Sequence, residues 1–150
     1  FGNLNSTCIG DFDQPKVRFP GSGGGNDFAS LCWRTMVMTE HDPRRFVETL
    51  DFTTSPGFLD GRDAREHAGL PQDTGPYRVI TNLCEMGYSL DSGRMEILSL
   101  HPGVSIDDVK AKTGFHIEGS SELTETEPPT DDELKVLRTE VDPAGVVIGR

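Results

Sequence analysis

The chain has 150 residues, with 14 Lys and Arg against 25 Asp and Glu and a formal net charge of −11. That balance excludes a phosphate backbone as the main partner, which needs a basic surface. No apolar run approaches the roughly 18 residues of a membrane helix. The 17 Gly and 10 Pro predict many loops without reaching low complexity, so one domain over residues 1–150 with a real core is expected.

Residues 1–10 predict a strand with a turn at Gly2-Asn3, and residues 11–15 a turn. Lys16-Val17-Arg18-Phe19 is a short alternating strand. A stretch of glycines follows, then a helix over 27–32. Residues 34–39 read as an apolar strand, with Met36 and Met38 assigned to the core. Residues 42–47 predict a turn into another short strand. Residues 57–76 form a long loop rich in Gly, Pro and charge, with one helical turn at 63–68; such a length is uncommon unless functional or mobile. Strands at 77–86 and 94–100, joined through Asp91-Ser92-Gly93, predict an antiparallel hairpin. Ser105-Ile106-Asp107-Asp108 starts a helix with Gly114 as its C′ residue. Phe115-His116-Ile117 reads as a strand and 118–129 as an acidic loop. Thr130-Asp131-Asp132-Glu133 is a capping box opening a last helix to about residue 140, stopped by Asp142-Pro143. Strands alternating with short helices imply an α/β fold with a mixed sheet.

Cys8, Cys32 and Cys84 are odd in number and widely spaced, which argues against a disulfide framework or a zinc site. They read as small core residues, and their usage suits a reducing cytoplasm. No basic segment followed by an apolar run opens the sequence, so no secretory signal is expected. The start at Phe1 rather than Met leads to the expectation that something upstream is lost, processed or carried on another chain.

Pro20-Gly21-Ser22-Gly23-Gly24-Gly25-Asn26-Asp27 is the most unusual stretch. Its glycines allow positive φ and close approach of backbone to a ligand. Consecutive free N–H groups between a strand and a helix suit an anion or oxyanion. The pattern is not the dinucleotide Gly-x-Gly-x-x-Gly and lacks the lysine of a phosphate-binding loop. Pro20 occupies the first position of a Gly-x-Ser-x-Gly elbow, which makes Ser22 a poor nucleophile. The alternative is a plain strand-to-helix turn. Other candidates read first as structural. His101, before Pro102-Gly103, suits a turn more than a general base, and His41, His67 and His116 lack metal-ligand spacing. The hydroxyls of Thr53-Thr54-Ser55-Pro56-Gly57-Phe58 fit a turn. The acids after Glu118, Glu133 and Glu140 included, form a solvated face.

Gly2-Asn3-Leu4-Asn5, Phe19 through Asp27, Thr54-Ser55-Pro56-Gly57-Phe58, His101-Pro102-Gly103-Val104 and Thr113-Gly114-Phe115 occur in one order. Together they resemble the β subunit of family I coenzyme A-transferases of the glutaconate type, over residues 1–115. The resemblance implies a mixed-sheet, Rossmann-like α/β domain shared with sugar-phosphate isomerases, here its C-terminal part. It implies partners: an α-like subunit and the missing N-terminal part of the β subunit. It also implies CoA transfer between an acyl-CoA and a small carboxylic or dicarboxylic acid through a glutamyl-CoA thioester. Coenzyme A would be a thioester co-substrate, with no tightly bound cofactor and no metal.

On this resemblance, backbone N–H groups of Gly21, Gly23, Gly24 and Gly25 would meet the CoA thioester and its oxyanion, with Ser22 and Asn26 beside the substrate. Gly24 is expected to need positive φ. The family's glutamate lies upstream of the Gly-Asn-Leu-Asn element, so the resemblance places it outside this sequence, and no glutamate present inherits its role. The ring-opening acyl-CoA hydrolases of steroid degradation share the scaffold and form the competing reading. A non-catalytic interface subunit is the third. The retained Gly-x-Gly-Gly pattern favours the transferase.

Overall fold

The computed structural model describes residues 1–147; the last three residues of the expected 1–150 domain lie outside the described residues. The chain opens with a small antiparallel ribbon, β1 (Cys8–Ile9) against β2 (Val17–Arg18). The glycines lead from it into α1 (Gly25–Leu31), which starts two residues earlier than the sequence suggests. Next come β3 (Thr35–Met38), α2 (Ala64–His67), β4 (Pro76–Ile80), β5 (Cys84–Tyr88) and β6 (Met95–Leu100). The chain continues with α3 (Ile106–Ala111), β7 (Gly119–Glu125) and α4 (Asp131–Val136), the last prolonged by a π-helical turn over Leu137–Val141.

One five-stranded sheet runs in the order β3-β4-β5-β6-β7. β3–β4 and β6–β7 are parallel, and β4–β5 and β5–β6 antiparallel, so the expected α/β mixed sheet is present. Alternation decides which face is covered. Val79, Cys84, Met86 and Ile97 point to one side and meet Phe46, Val109 of α3 and Ile117. Burying a side chain of this size contributes about 1.5–3 kcal/mol. The helix start at Ser105 holds as read: the Asp108 amide donates to Ser105 Oγ (3.2 Å) and the Ser105 amide to Asp108 Oδ2 (2.9 Å). The Thr130–Glu133 box is likewise complete, at 3.2 and 2.8 Å.

Several expectations are corrected. The segment 77–86 is two strands, because the chain reverses at Thr81-Asn82-Leu83. Met36 and Met38 are 66% and 80% exposed. β3 is the sheet's edge, and only Val37 turns toward the core. Cys8 and Cys84 are buried but Cys32 is only partly so. The strand expected at 115–117 is absent and appears at β7 instead, inside the supposed acidic loop. β7 is an edge strand with mostly exposed side chains, so its sequence carries no apolar alternation. Residues 42–47 form a turn with one bridge, Val47 to Gly114. In residues 1–10 only Cys8–Ile9 is strand, besides a bridge from Leu4 to Ser55. Gly114 is not a C′ residue, since α3 ends at Ala111. Its amide donates to Phe46 O (2.7 Å), and an added Cβ would lie 2.6 Å from that oxygen.

Candidate active site: the glycine loop and its frame

Backbone bonds to the first residues pin the loop at its start. Phe19 N donates to Thr7 O (2.8 Å) and Gly21 N to Ser6 O (2.9 Å). Gly21 (φ 92°) and Gly23 (φ 52°) adopt left-handed backbone, which glycine reaches without the Cβ penalty. Gly25 N then donates to Ser22 O (2.9 Å), closing the turn into α1. Gly24 has φ −79° and ψ −1°, so the expectation of a positive φ there is wrong. The positive φ lies one residue earlier, at Gly23.

This geometry sorts the four glycines. The amides of Gly21 and Gly25 are engaged within the chain. Among the described residues, nothing accepts from the amides of Ser22, Gly23 and Gly24, and Gly23 and Gly24 are exposed. The loop therefore presents unspent N–H groups to solvent. Ser22 Oγ donates to Gly23 O (3.0 Å), and no base is bonded to it, which leaves it unactivated as a nucleophile.

A frame built from distant segments holds the loop. Thr54 Oγ1 accepts from Ser6 N (2.8 Å) and lies 2.7 Å from Thr7 Oγ1, while Thr54 O accepts from Asn26 Nδ2 (2.7 Å). Asn26 thus spends its amide on the frame. Asn3 Oδ1 accepts from Gly57 N (2.8 Å) and Leu59 N (3.1 Å), and Leu4 N donates to Ser55 O (2.9 Å). A Cβ on Gly57 would overlap Gly2 C and Phe1 O, so only glycine permits this approach. Gly-Asn-Leu-Asn, the glycine loop and Thr-Ser-Pro-Gly-Phe are therefore one constellation. Thr54 and Ser55, which read as plain turn hydroxyls, are buried in its centre.

The remaining candidates stand elsewhere. His101 Nε2 meets Thr81 O (2.8 Å) and Nδ1 meets Thr126 Oγ1 (2.9 Å), so the ring straps the sheet end. His41 is buried between Thr81 Oγ1 (3.2 Å) and Thr113 Oγ1 (2.9 Å) and stacks on Phe46. Burial, and then the Lys112 charge, hold its pKa below the ordinary value. His67 is exposed, and His116 pairs with Glu118 at the surface. No cluster suited to a metal occurs among the described residues. The loop's hydrogen bonds among the described residues involve no glutamate. A cavity of about 250 Å³, lined by Arg34, Arg62, Arg65, Tyr77 and Arg78 among others, receives no residue of the loop.

Sequence reasoning missed Arg65. It is 2% exposed, and its guanidinium reaches Gly57 O, Ala29 O and Thr74 Oγ1. No local signal marks it, because it is one charged residue among several in a polar loop.

A mixed α/β sheet with a framed glycine loop is the arrangement of a CoA-transferase-type domain, and the family model for coenzyme A transferase matches residues 1–112. The chain belongs to that family. It is 40% identical over 148 residues to a subunit of the glutaconate CoA-transferase of Acidaminococcus fermentans, covering 99% of this chain and 55% of that protein. The crystal structure of that transferase superposes with a TM-score of 0.91 at 40% identity, covering 99% of this chain and 56% of that one. Identity is 41% over 138 residues to a subunit of the 3-oxoadipate CoA-transferase of Pseudomonas knackmussii, covering 92% and 53%. It is 32% over 147 residues to the cholesterol ring-cleaving hydrolase IpdB subunit of Mycobacterium tuberculosis, covering 95% and 56%. The chain spans about half the length of the curated relatives it matches. No helix among the described residues is long and apolar enough to cross a membrane.

Proposed function

We propose that this chain works as the C-terminal part of a CoA-transferase β subunit. The enzyme moves CoA between an acyl-CoA and a small carboxylic or dicarboxylic acid, with coenzyme A as co-substrate. A glutamate carried outside this chain attacks the thioester carbonyl, releases the CoA thiolate and forms an acyl anhydride. The thiolate then attacks the glutamyl carbonyl, releasing the first acid and leaving a glutamyl-CoA thioester. The acceptor acid reverses these steps. Each attack passes through a tetrahedral carbon bearing a negative oxygen.

The observation that carries this reading is the set of unspent amides at Ser22, Gly23 and Gly24 on a braced loop. Preset donors aimed at a developing oxyanion lower the barrier without a charged side chain, which suits a chain of net charge −11. Gly23 and Gly24 are the oxyanion donors, with Gly21 and Gly25 shaping the loop. Ser22 adds its main-chain N–H beside the substrate, and Asn26 contributes by holding the loop to Thr54. The partners are an α-like subunit and the N-terminal part of the β subunit. Exposed Phe28, Leu31, Trp33, Met36 and Met38, all within residues 28–38, support burial against such a partner. Three free cysteines support a cytoplasmic location.

The likeness to IpdB favours a second reading, an acyl-CoA hydrolase of the ring-opening C–C type on the same scaffold. Incubating the complete enzyme with acyl-CoA, with and without acceptor acid, separates the two. A transferase forms a new thioester only with acceptor, whereas a ring-opening hydrolase adds water across a C–C bond of a cyclic acyl-CoA, without acceptor and with its thioester intact. A non-catalytic role is the outcome if altering the glycine loop leaves turnover unchanged.

A further inference from the structure

Arg65 is a buried cation with no carboxylate partner among the described residues. Its Nη1 donates to Gly57 O (2.9 Å) and Pro56 O (3.3 Å). Its Nη2 donates to Ala29 O (3.1 Å), Ser30 O (3.2 Å) and Thr74 Oγ1 (3.0 Å). Its Nε is the buried side-chain polar atom without a partner among the described residues. Burying an unpaired charge opposes folding, so this placement needs a compensating role. The acceptors supply one. Ala29 and Ser30 lie in the last turn of α1, which has no basic residue of its own. Pro56 and Gly57 belong to the segment whose Thr54 holds Ser6 and Asn26. A planar fork of five N–H donors can join these strands of backbone at once, which an ammonium cannot.

We infer that Arg65 is a positioning residue for the proposed CoA transfer: from α2 it locks the rear of α1 to the 54–58 segment and so fixes the glycine loop at the far end of that helix. The seven residues of α1 span about 10 Å at 1.5 Å per residue, so Arg65 acts through the backbone. A tilt of α1 would displace the free amides while leaving most substrate-binding surface intact. The inference rests on the proposed function, and its test is built to fail separately from it.

The complete enzyme is prepared with R65M and R65K. R65M keeps length and removes the donors; R65K keeps charge and up to three donors. The expected kcat loss is about 10²-fold for R65M and about tenfold for R65K, with each KM within about threefold of wild type. Amide exchange over residues 25–31 is expected to accelerate in the same order. An unchanged kcat in both variants, or a kcat loss matched by an equal loss of folded protein, overturns the inference. If R65M does not fold, R65K decides: reduced kcat at native melting temperature supports the clamp, and native kcat overturns it. If the wild-type enzyme transfers no CoA, the proposed function fails and exchange alone decides. Accelerated exchange over 25–31 then supports the brace, and unchanged exchange overturns it.

Discussion

Gly23 and Gly24 are neighbours of the same type with opposite structural demands, and this makes them a controlled pair. Gly23 sits at φ 52°, where an added Cβ meets nothing within 4 Å. The demand there is conformational: left-handed backbone costs an L-residue roughly 1–2 kcal/mol, and more when the residue is β-branched. That is comparable to the roughly 1 kcal/mol net worth of each loop hydrogen bond, such as Gly25 N to Ser22 O at 2.9 Å. Gly23→Val should therefore rearrange the loop and withdraw an oxyanion donor, a loss of about 10²–10³ in kcat. Gly24 already has right-handed backbone, and its Cβ would lie 3.6 Å from the Phe28 ring, an ordinary contact. Gly24→Ala should keep kcat within about tenfold, equivalent to about 1.4 kcal/mol. Ser22→Ala should be mild too, since its hydroxyl bonds only the Gly23 carbonyl.

The assay is acyl-CoA to carboxylate transfer by the complete enzyme, with circular dichroism and thermal melting on each variant. A Cβ at Gly23 meets no neighbour within 4 Å, so the cost to folding is the backbone strain alone, which the melting curve reads. A Gly23→Val variant with native kcat, or a Gly24→Ala variant more damaged than it, would refute the assignment of these amides as oxyanion donors. A Ser22→Ala variant without turnover, beside an active Gly23→Val, would make this a serine site and sink the transferase reading.

Two further outcomes follow from groups outside the loop. Glu133 bonds its own cap residue Thr130, and Glu140 lies on the exposed turn after α4. Gln at either position should change transfer by less than about tenfold, and a thousandfold loss in steady-state turnover would give these acids a role in the chemistry. His41 is buried with its pKa lowered from 6.5, so the unfolded chain binds the proton more readily. Its stabilisation is complete above 6.5 and is lost as pH falls through the lower folded-state value. Urea midpoints measured from pH 7.5 to 5, with His41→Gln as control, should show a steeper fall for the wild type, and identical slopes would remove His41 from the acid response.

What the sequence disclosed divides by the reach of the interactions. The glycine loop was legible because its signal is local: composition, a strand before it and a helix after. The frame was not, because its bonds join residues 28 to 56 positions apart, from Asn26 with Thr54 to Asn3 with Leu59. Arg65 was invisible for the same reason, reaching Ala29 from 36 positions away. β7 and the outward face of β3 misled because edge strands need no alternating apolar pattern, and Met36 and Met38 are apolar yet exposed.

The division of residues 77–86 into β4 and β5 is a different failure, since its cause is local but carried by one side chain. Val79-Ile80 and Leu83-Cys84 look like one apolar run, and no Gly or Pro interrupts it. Thr81 makes the turn instead. Its Oγ1 accepts from Leu83 N and Cys84 N, both at 3.1 Å, while Thr81 N donates to Cys84 O at 3.0 Å. A hydroxyl that captures two amides ahead of it offers the backbone an alternative to continuing the strand. Thr81 and Cys84 are buried and Leu83 is half-buried, so removing the hydroxyl leaves both amides with little access to water. Thr81→Val keeps the shape and strands both donors, and leaving a buried donor unsatisfied costs about 1–3 kcal/mol. Thr81→Ser keeps the acceptor and should recover most of that stability. Denaturant midpoints of the complete protein decide the matter. A Thr81→Val variant as stable as wild type would mean that the sheet's packing imposes the reversal and that Thr81 merely accommodates it.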